Sequence, residues 1–177
     1  MKPLYWHPLQ RRLLPPKLRP WIAEKGSLTR RLRRYQQTAF SVEVLGHYWA
    51  KPLQNEALKL HIGLHEMAYQ REVILRDGAE ATIYARTIVP RQTYQQVGHY
   101  FRRLGNQALG DVLFRDPHVR RSRIEVAKIR PYQWLYPVAM CEKEALISTI
   151  WARRSLFYFG QRPILVNELF LPAIERL

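Results

Sequence analysis

Residues 68–90 read AYQREVILRDGAEATIYARTIVP, two runs of alternating apolar and polar side chains joined at RDGAE, residues 76–80. A period of two is that of a strand with one buried face, and an Asp-Gly pair between two such runs signals a tight hairpin. The alternation also sorts the charges. Arg71 falls on the face of Tyr69, Val73 and Leu75, and Arg86 on the face of Tyr84 and Ile88. A second hairpin stands near the C-terminus, where RRSLFYF (153–159) and ILVNELFLP (164–172) flank the turn GQRP (160–163). There Glu168 shares a face with Ile164, Val166 and Phe170. Charged groups are rarely buried unless paired, because taking an ion out of water is costly. Three readings follow for Arg71, Arg86 and Glu168. They pair with one another structurally, they point to solvent, or they ring a pocket whose arginines take a ligand carboxylate and whose glutamate meets the other end.

Working outward, SVEVLGHYW (41–49) and RSRIEVAKI (121–129) read as further strands. RPWIAEK (19–25) reads as a short helix stopped at Gly26, and Ser27 as the cap of a second, SLTRRLRRYQQ (27–37). Its Leu28, Leu32 and Tyr35 recur at spacings of four and three, as a one-sided helix requires. A helical stretch spans residues 94–114, interrupted by LGNQALG (104–110). KPLQNEALKLHIGLHEM (51–67) reads as a loop with some extended structure, and the proline-bracketed RPYQWLYPVAMCEKEA (130–145) as an insertion. Hairpins with few helical crossovers give an α+β fold: a single antiparallel sheet of about six strands with helices packed on one face. Residues 1–177 form one domain, of which residues 1–20, broken by five prolines, are an N-terminal arm.

Composition narrows the class. At 47% hydrophobic and 12% aromatic the chain can build a core, so disorder is excluded. No apolar run approaches the ~18 residues of a membrane-spanning helix. Cys141 is the single cysteine, which excludes an internal disulfide and a cysteine-based zinc site and fits a reducing cytoplasm. The net charge of +15 predicts attraction for anions, whether nucleic acid, a membrane surface or a small acidic metabolite. Arg30, Arg31, Arg33 and Arg34 flank Leu32 on both sides and form no stripe interleaved with aromatics. With no helix-turn-helix, zinc-finger or RNA-binding-sheet signature beside them, they read as a solvated helix face, and no nucleic-acid partner is expected. His61 and His65 stand four apart beside Glu66, but Gly63 lies between them and no spacing places a third ligand, so no metal is assigned. Cys141 has no His or Asp at an interpretable spacing. LGNQALG lacks both the Lys-Ser/Thr of a P-loop and the three-glycine dinucleotide pattern. LTRRL after Ser27 and ALGDVLF after Gln107 can instead present helix-terminal N–H groups to an anion.

The segments GSLTRRL (26–32), REVILRDGAEATIYARTIVP (71–90), LGNQALGDVLF (104–114) and RRSLFYFGQRPILVNELFLP (153–172) occur in this order and at compatible spacing. Together they resemble the bacterial chorismate pyruvate-lyase family, whose members make 4-hydroxybenzoate and pyruvate from chorismate at the start of ubiquinone synthesis. The resemblance implies the sheet described above, an enclosed site beneath helical flaps, and catalysis without metal or cofactor. It also implies site residues. Arg71 matches the arginine that holds the ligand carboxylate, and Glu168 the glutamate near the ring hydroxyl. Leu28 and Leu109 match two backbone contacts, and Arg86 is a candidate for a second anion contact. Arg71 and Glu168 would be the catalytic pair. An apolar surround would make proton transfer by Glu168 easier near neutral pH.

The partners implied are chorismate and 4-hydroxybenzoate, for a cytoplasmic monomer whose basic surface would favour proximity to a membrane. Residues 130–145 are longer than in compact relatives, and the arm is unusually basic. The same fold serves ligand-sensing domains of transcription regulators. These normally follow a winged helix, for which the first 40 residues are too few and too proline-broken. The runner-up is accordingly a non-catalytic sensor or carrier of a small aromatic acid, and a binder of nucleic acid or anionic membranes comes third.

Overall fold

Along the chain, the computed structural model describes residues 4–131, 133 and 149–177. Its elements are β1 (His7–Pro8), α1 (Arg19–Ile22), α2 (Leu28–Tyr35), β2 (Phe40–Ala50), α3 (Gln54–Leu60), β3 (Ala68–Asp77), β4 (Glu80–Pro90), α4 (Arg91–Leu104), α5 (Leu109–Leu113), β5 (Val119–Arg121), β6 (Glu125–Ile129), β7 (Ile150–Phe159) and β8 (Arg162–Phe170). The strands form one antiparallel sheet in the order β1-β6-β7-β8-β4-β3-β2, with β5 pairing the far end of β7. The α+β class and the single antiparallel sheet are as expected. There are eight strands among the described residues where about six were expected. The surplus is β1 and β5, two and three residues long, too short to carry a legible alternation.

The two expected hairpins, β3–β4 and β7–β8, lie side by side at the centre of the sheet. Asp77 pairs with Glu80 and Phe159 with Arg162, so each turn has two residues. Gly78 (φ 58°) and Gly160 (φ 60°) take the first turn position in the left-handed region, which glycine enters without penalty. Asp77 is therefore the last residue of its strand. Its carboxylate accepts from the Gln37 N–H at 2.8 Å, and from the Thr38 N–H at 2.7 Å and hydroxyl at 2.6 Å, tying β3 to the end of α2.

Each face of the sheet is covered. On one, α1 and α2 place Trp21, Leu28 and Leu32 against Val73, Leu75, Ile83 and Phe170. Beside them α4 and α5 place Val97, Phe101, Leu109 and Leu113 against Tyr69, Phe157, Ile164 and Val166. The other face carries α3, a helix inside the segment expected to be a loop. Glu56 accepts from the Leu53 N–H at 2.9 Å, a side-chain cap that starts the helix, and His61 ends it in a left-handed turn (φ 55°). Leu60 buries against Ala68, Ile88 and Leu165. Most helices share one face, as expected, and α3 is the correction.

The arm is docked on this frame: β1 pairs with β6, and Leu14 and Leu18 are buried in the core. Cys141 and nearly all of the expected insertion, residues 130–145, lie outside the described residues. No helix among the described residues is long and apolar enough to cross a membrane.

Candidate functional site

The pairing register builds the floor. Arg71 pairs with Thr87, and Thr87 with Val166. One row along, Val73 pairs with Ala85, Ala85 with Glu168, and Glu168 with Arg153. Arg71 and Glu168 thus share a face, two strands apart, about 10 Å across the sheet at 4.7–4.9 Å per strand. Between them the floor is small and apolar: Val73, Ala85 and Val166. Above it lies a cavity of about 50 Å³, roofed by Leu28 and Thr29 of α2 and by Leu109, Gly110 and Leu113 of α5.

Arg71 is only 4% exposed, and burial pushes the pKa of its guanidinium down. Nη2 donates to the carbonyls of Gly105 (2.9 Å) and Gln107 (3.1 Å), just before α5. No carboxylate pairs with it among the described residues. Among the described residues this cation has accepted desolvation without a counter-ion, and it lines a cavity.

At the other end Glu168 is held by charge. Its Oε2 accepts from Arg153 Nε at 2.5 Å, and Arg121 Nη2 stands 3.9 Å away. The surround is two guanidiniums, where an apolar one was expected. Arg153 is 1% exposed, and its Nη1 donates to the carbonyls of Trp21 and Ile22 (3.3 Å each) and Glu24 (2.7 Å). Arg121 donates to Ser155 Oγ and to the carbonyls of Glu24 and Lys25. Burial, and then the charge of Arg153, push its pKa down to about 10.

The roof closes where two helix starts meet. Leu28 opens α2 behind Ser27, whose Oγ accepts from the Arg30 N–H at 3.2 Å, and Leu109 opens α5. First-turn N–H groups have no partner within their helix, and Leu28 and Leu109, each at a helix start, both line the cavity. A Cβ at Gly110 would stand 3.2 Å from Ser27 Oγ and 3.3 Å from Thr29 Oγ1, so glycine lets the two starts abut. Arg33 of α2 and Asp111 of α5 pair across the join at 2.8 Å.

Of the expected residues, the fold therefore gathers Arg71, Glu168, Leu28 and Leu109 around one cavity. Arg86 is the exception. It lies on the opposite face, where Nε donates to Glu56 Oε1 (3.1 Å), Nη2 to Gln70 (2.6 Å), and Nη1 to Glu72. Burial alone would lower its pKa; Glu56 beside it, with Glu72, more than reverses this and holds it above the ordinary value. Asn167 donates to Glu56 at 2.9 Å and completes the cluster. Arg86 is internally neutralised and walled off from the cavity by the sheet.

Arg153 was missed, although the sequence holds a signal for it. A two-residue turn at Gly160 and Gln161 pairs residues whose numbers sum to 321, which sets Arg153 directly opposite Glu168.

Two other concavities lack this chemistry. A larger one, of about 680 Å³, lies by the arm and β6, lined by Tyr5, His7, Lys128 and Trp151. An open cleft of about 470 Å³ carries Arg11, Arg19, Lys25 and Arg31 beside Glu24. The small cavity is the stronger candidate because two buried arginines, Arg71 and Arg153, converge on it with the half-buried Glu168. His61 and His65 are exposed, and among the described residues no three His, Cys, Asp or Glu side chains gather as metal ligands.

Comparison with known proteins bears on the fold and the family. The fold resembles the effector domain of PhnF from Mycobacterium smegmatis (TM-score 0.60, 12% identity, 84% of this chain and 90% of that one). A crystal structure of a PhnF C-terminal domain gives a TM-score of 0.58 at 16% identity, over 75% of this chain and 83% of that one. At such identities the likeness concerns the fold alone. The sequence is 39% identical to a probable chorismate pyruvate-lyase of Methylobacillus flagellatus, over 90% of this chain and 89% of that protein. It is 35% identical to a protein of the same description from Nitrosomonas europaea, over 99% and 97%. The chorismate lyase family model matches residues 2–176, and the chain belongs to that family.

Proposed function

We propose that this protein is a chorismate pyruvate-lyase, cleaving chorismate to 4-hydroxybenzoate and pyruvate in the synthesis of ubiquinone. The observation that carries the reading is Arg71, a buried guanidinium without a carboxylate partner among the described residues, lining a cavity with Glu168 at its other end. A ring carboxylate supplies the missing charge through a two-point bond. The N–H groups of Leu28 and Leu109 add donors from the roof. The ring lies over Val73, Ala85 and Val166, and its hydroxyl meets Glu168.

In the reaction the C–O bond between ring and enolpyruvyl group breaks, and the electron pair stays on the departing oxygen. The ring carbon bearing the hydroxyl loses its proton, the ring becomes aromatic, and the enolpyruvate takes up a proton to become pyruvate. Aromatisation makes the step downhill. The protein's task is then to hold a dianion in the reactive shape and to support charge on the leaving oxygen. Glu168, whose Oε2 accepts from Arg153 Nε, orients the hydroxyl and in this reading accepts the ring proton.

The test is direct. Protein given chorismate should release pyruvate and develop the absorbance of 4-hydroxybenzoate, with a chelator present. Glu168→Gln should lower kcat by about 10²–10⁴, the range of a positioned acid–base group. Absence of pyruvate from wild type overturns the reading, and tight binding of 4-hydroxybenzoate without turnover would make the protein a binding module. A Glu168→Gln variant as fast as wild type removes Glu168 from the chemistry.

A further inference from the structure

Chorismate carries two carboxylates, and the assignments above occupy one. With the ring carboxylate on Arg71 and the ring hydroxyl at Glu168, the carbon bearing the enolpyruvyl ether is next to the hydroxyl-bearing carbon. The second carboxylate must then project from the Glu168 end. Arg86, the expected receptor, is on the wrong face and already neutralised.

The Glu168 end holds more positive charge than it needs. Two guanidiniums, Arg153 and Arg121, face one carboxylate. The other acid nearby, Glu24, is taken up by Arg31 at 3.1 Å and by the Gly26 N–H at 2.7 Å. Arg153 lines the cavity and is almost wholly buried. Its Nε is given to Glu168 and its Nη1 to three carbonyls, while Nη2 makes no hydrogen bond among the described residues. A buried guanidinium with an unused NH₂ group at a cavity wall is a carboxylate receptor.

We propose that Arg153 is the second anion contact of this site: its Nη2 binds the enolpyruvyl carboxylate while its Nε holds Glu168 in place. The inference rests on the chorismate reading. It explains how one side chain serves both ends of the chemistry. As the C–O bond breaks, the leaving enolpyruvate gains charge next to a fixed cation, and Arg121 behind it adds to the field.

The probes are 3-(carboxymethoxy)-4-hydroxybenzoate, which carries both carboxylates, and 3-propoxy-4-hydroxybenzoate, a neutral analogue in that arm. Wild type should bind the dianion roughly 10- to 100-fold tighter, as a charged hydrogen bond predicts. Arg153→Gln should bring this ratio close to one, and Arg153→Lys should keep part of it. A general loss of affinity for both probes with an unchanged ratio would reduce Arg153 to a positioning residue for Glu168 and overturn the proposal. So would a wild-type ratio near one, which needs no variant to fold. The two readings fail differently. Wild type that neither binds 4-hydroxybenzoate nor turns over chorismate refutes the activity. Wild type that does both, but ignores the extra carboxylate, refutes only the Arg153 contact.

Discussion

Arg71 and Arg86 sit on adjacent strands, buried to nearly the same extent, on opposite faces of one sheet. Their surroundings differ completely. Arg86 has Glu56, Glu72 and Gln70 on its guanidinium. Arg71 has two carbonyl oxygens and a cavity. Burial of a cation therefore does not by itself mark a site. A charge satisfied by the protein belongs to the architecture, and one left without a counter-ion points to a ligand that brings it. The comparison makes opposite predictions for the two faces, because removing a partner hurts stability where the charge is paired and hurts binding where it is not.

The largest stability effect is expected at Glu56, which is fully buried and accepts from Arg86, Asn167 and the Leu53 N–H. Glu56→Ala leaves a buried guanidinium short of charge, at a cost of about 3–5 kcal/mol. For a chain of this size that lowers the melting temperature by roughly 10 °C. Affinity for 4-hydroxybenzoate at a temperature where the variant is folded should stay within about threefold of wild type, since the sheet separates the cluster from the cavity. A variant that melts like wild type, or that loses binding without losing stability, would break the distinction between the faces.

Arg71→Met should do the reverse. Binding of 4-hydroxybenzoate and of chorismate should weaken by roughly a hundredfold, about 2–3 kcal/mol for a charge-assisted contact. Thermal stability of the ligand-free protein should hold or rise, because no counter-ion is stranded when the cation is removed. Calorimetric titration and a melting curve on the same sample check both halves. A large loss of stability would mean that Arg71 is as structural as Arg86.

Much of this contrast was legible in the sequence, and its failure is instructive. Alternation placed Arg71 with Tyr69, Val73 and Leu75 and placed Glu168 with Val166 and Phe170, as the structure has them. It also placed Arg86 with Tyr84 and Ile88, as found; what it could not set is which face of β4 matches which face of β3, and one residue decides that. Counted from the turn at Gly78 and Ala79, an unbroken ladder would set Arg86 opposite Arg71 and on the same face. A bulge after the Arg76–Ala81 pair inserts Thr82, whose hydroxyl bonds Leu75 O at 2.7 Å. Beyond it Arg86 pairs with Glu72 and faces the other way. A similar shift at Leu45 in β2 carries the alternation from Val42 and Val44 to His47 and Trp49. Bulges have no sequence signature of their own here. The β7–β8 hairpin has none, and there simple counting finds the Glu168–Arg153 pair. The helix α3 was missed for another reason: what fixes it is Glu56, whose partners Arg86 and Asn167 are distant in sequence.

The smallest effect sharpens the same rule on a carboxylate. Asp77 is satisfied by three donors from Gln37 and Thr38, which hold its pKa below the ordinary value; the Thr38 hydroxyl contributes most. The sign follows from linkage. A carboxyl whose folded pKa is depressed binds its proton more readily in the unfolded chain. Its contribution is therefore complete above the unfolded value of about 4 and is lost as the pH falls through the lower, folded value. Asp77→Asn should cost about 1 kcal/mol at pH 7, since the amide keeps an acceptor but loses the charge. The difference from wild type should shrink as the pH falls below about 4 and through the lower, folded value. Denaturant curves for both proteins at pH 7, 4 and 3 decide it. A gap that stays constant across that range would mean that Asp77 holds α2 to β3 by shape alone. A gap that closes would place it with Arg86, among charges the protein completes for itself, and leave Arg71 as the contrasting case that calls for a ligand.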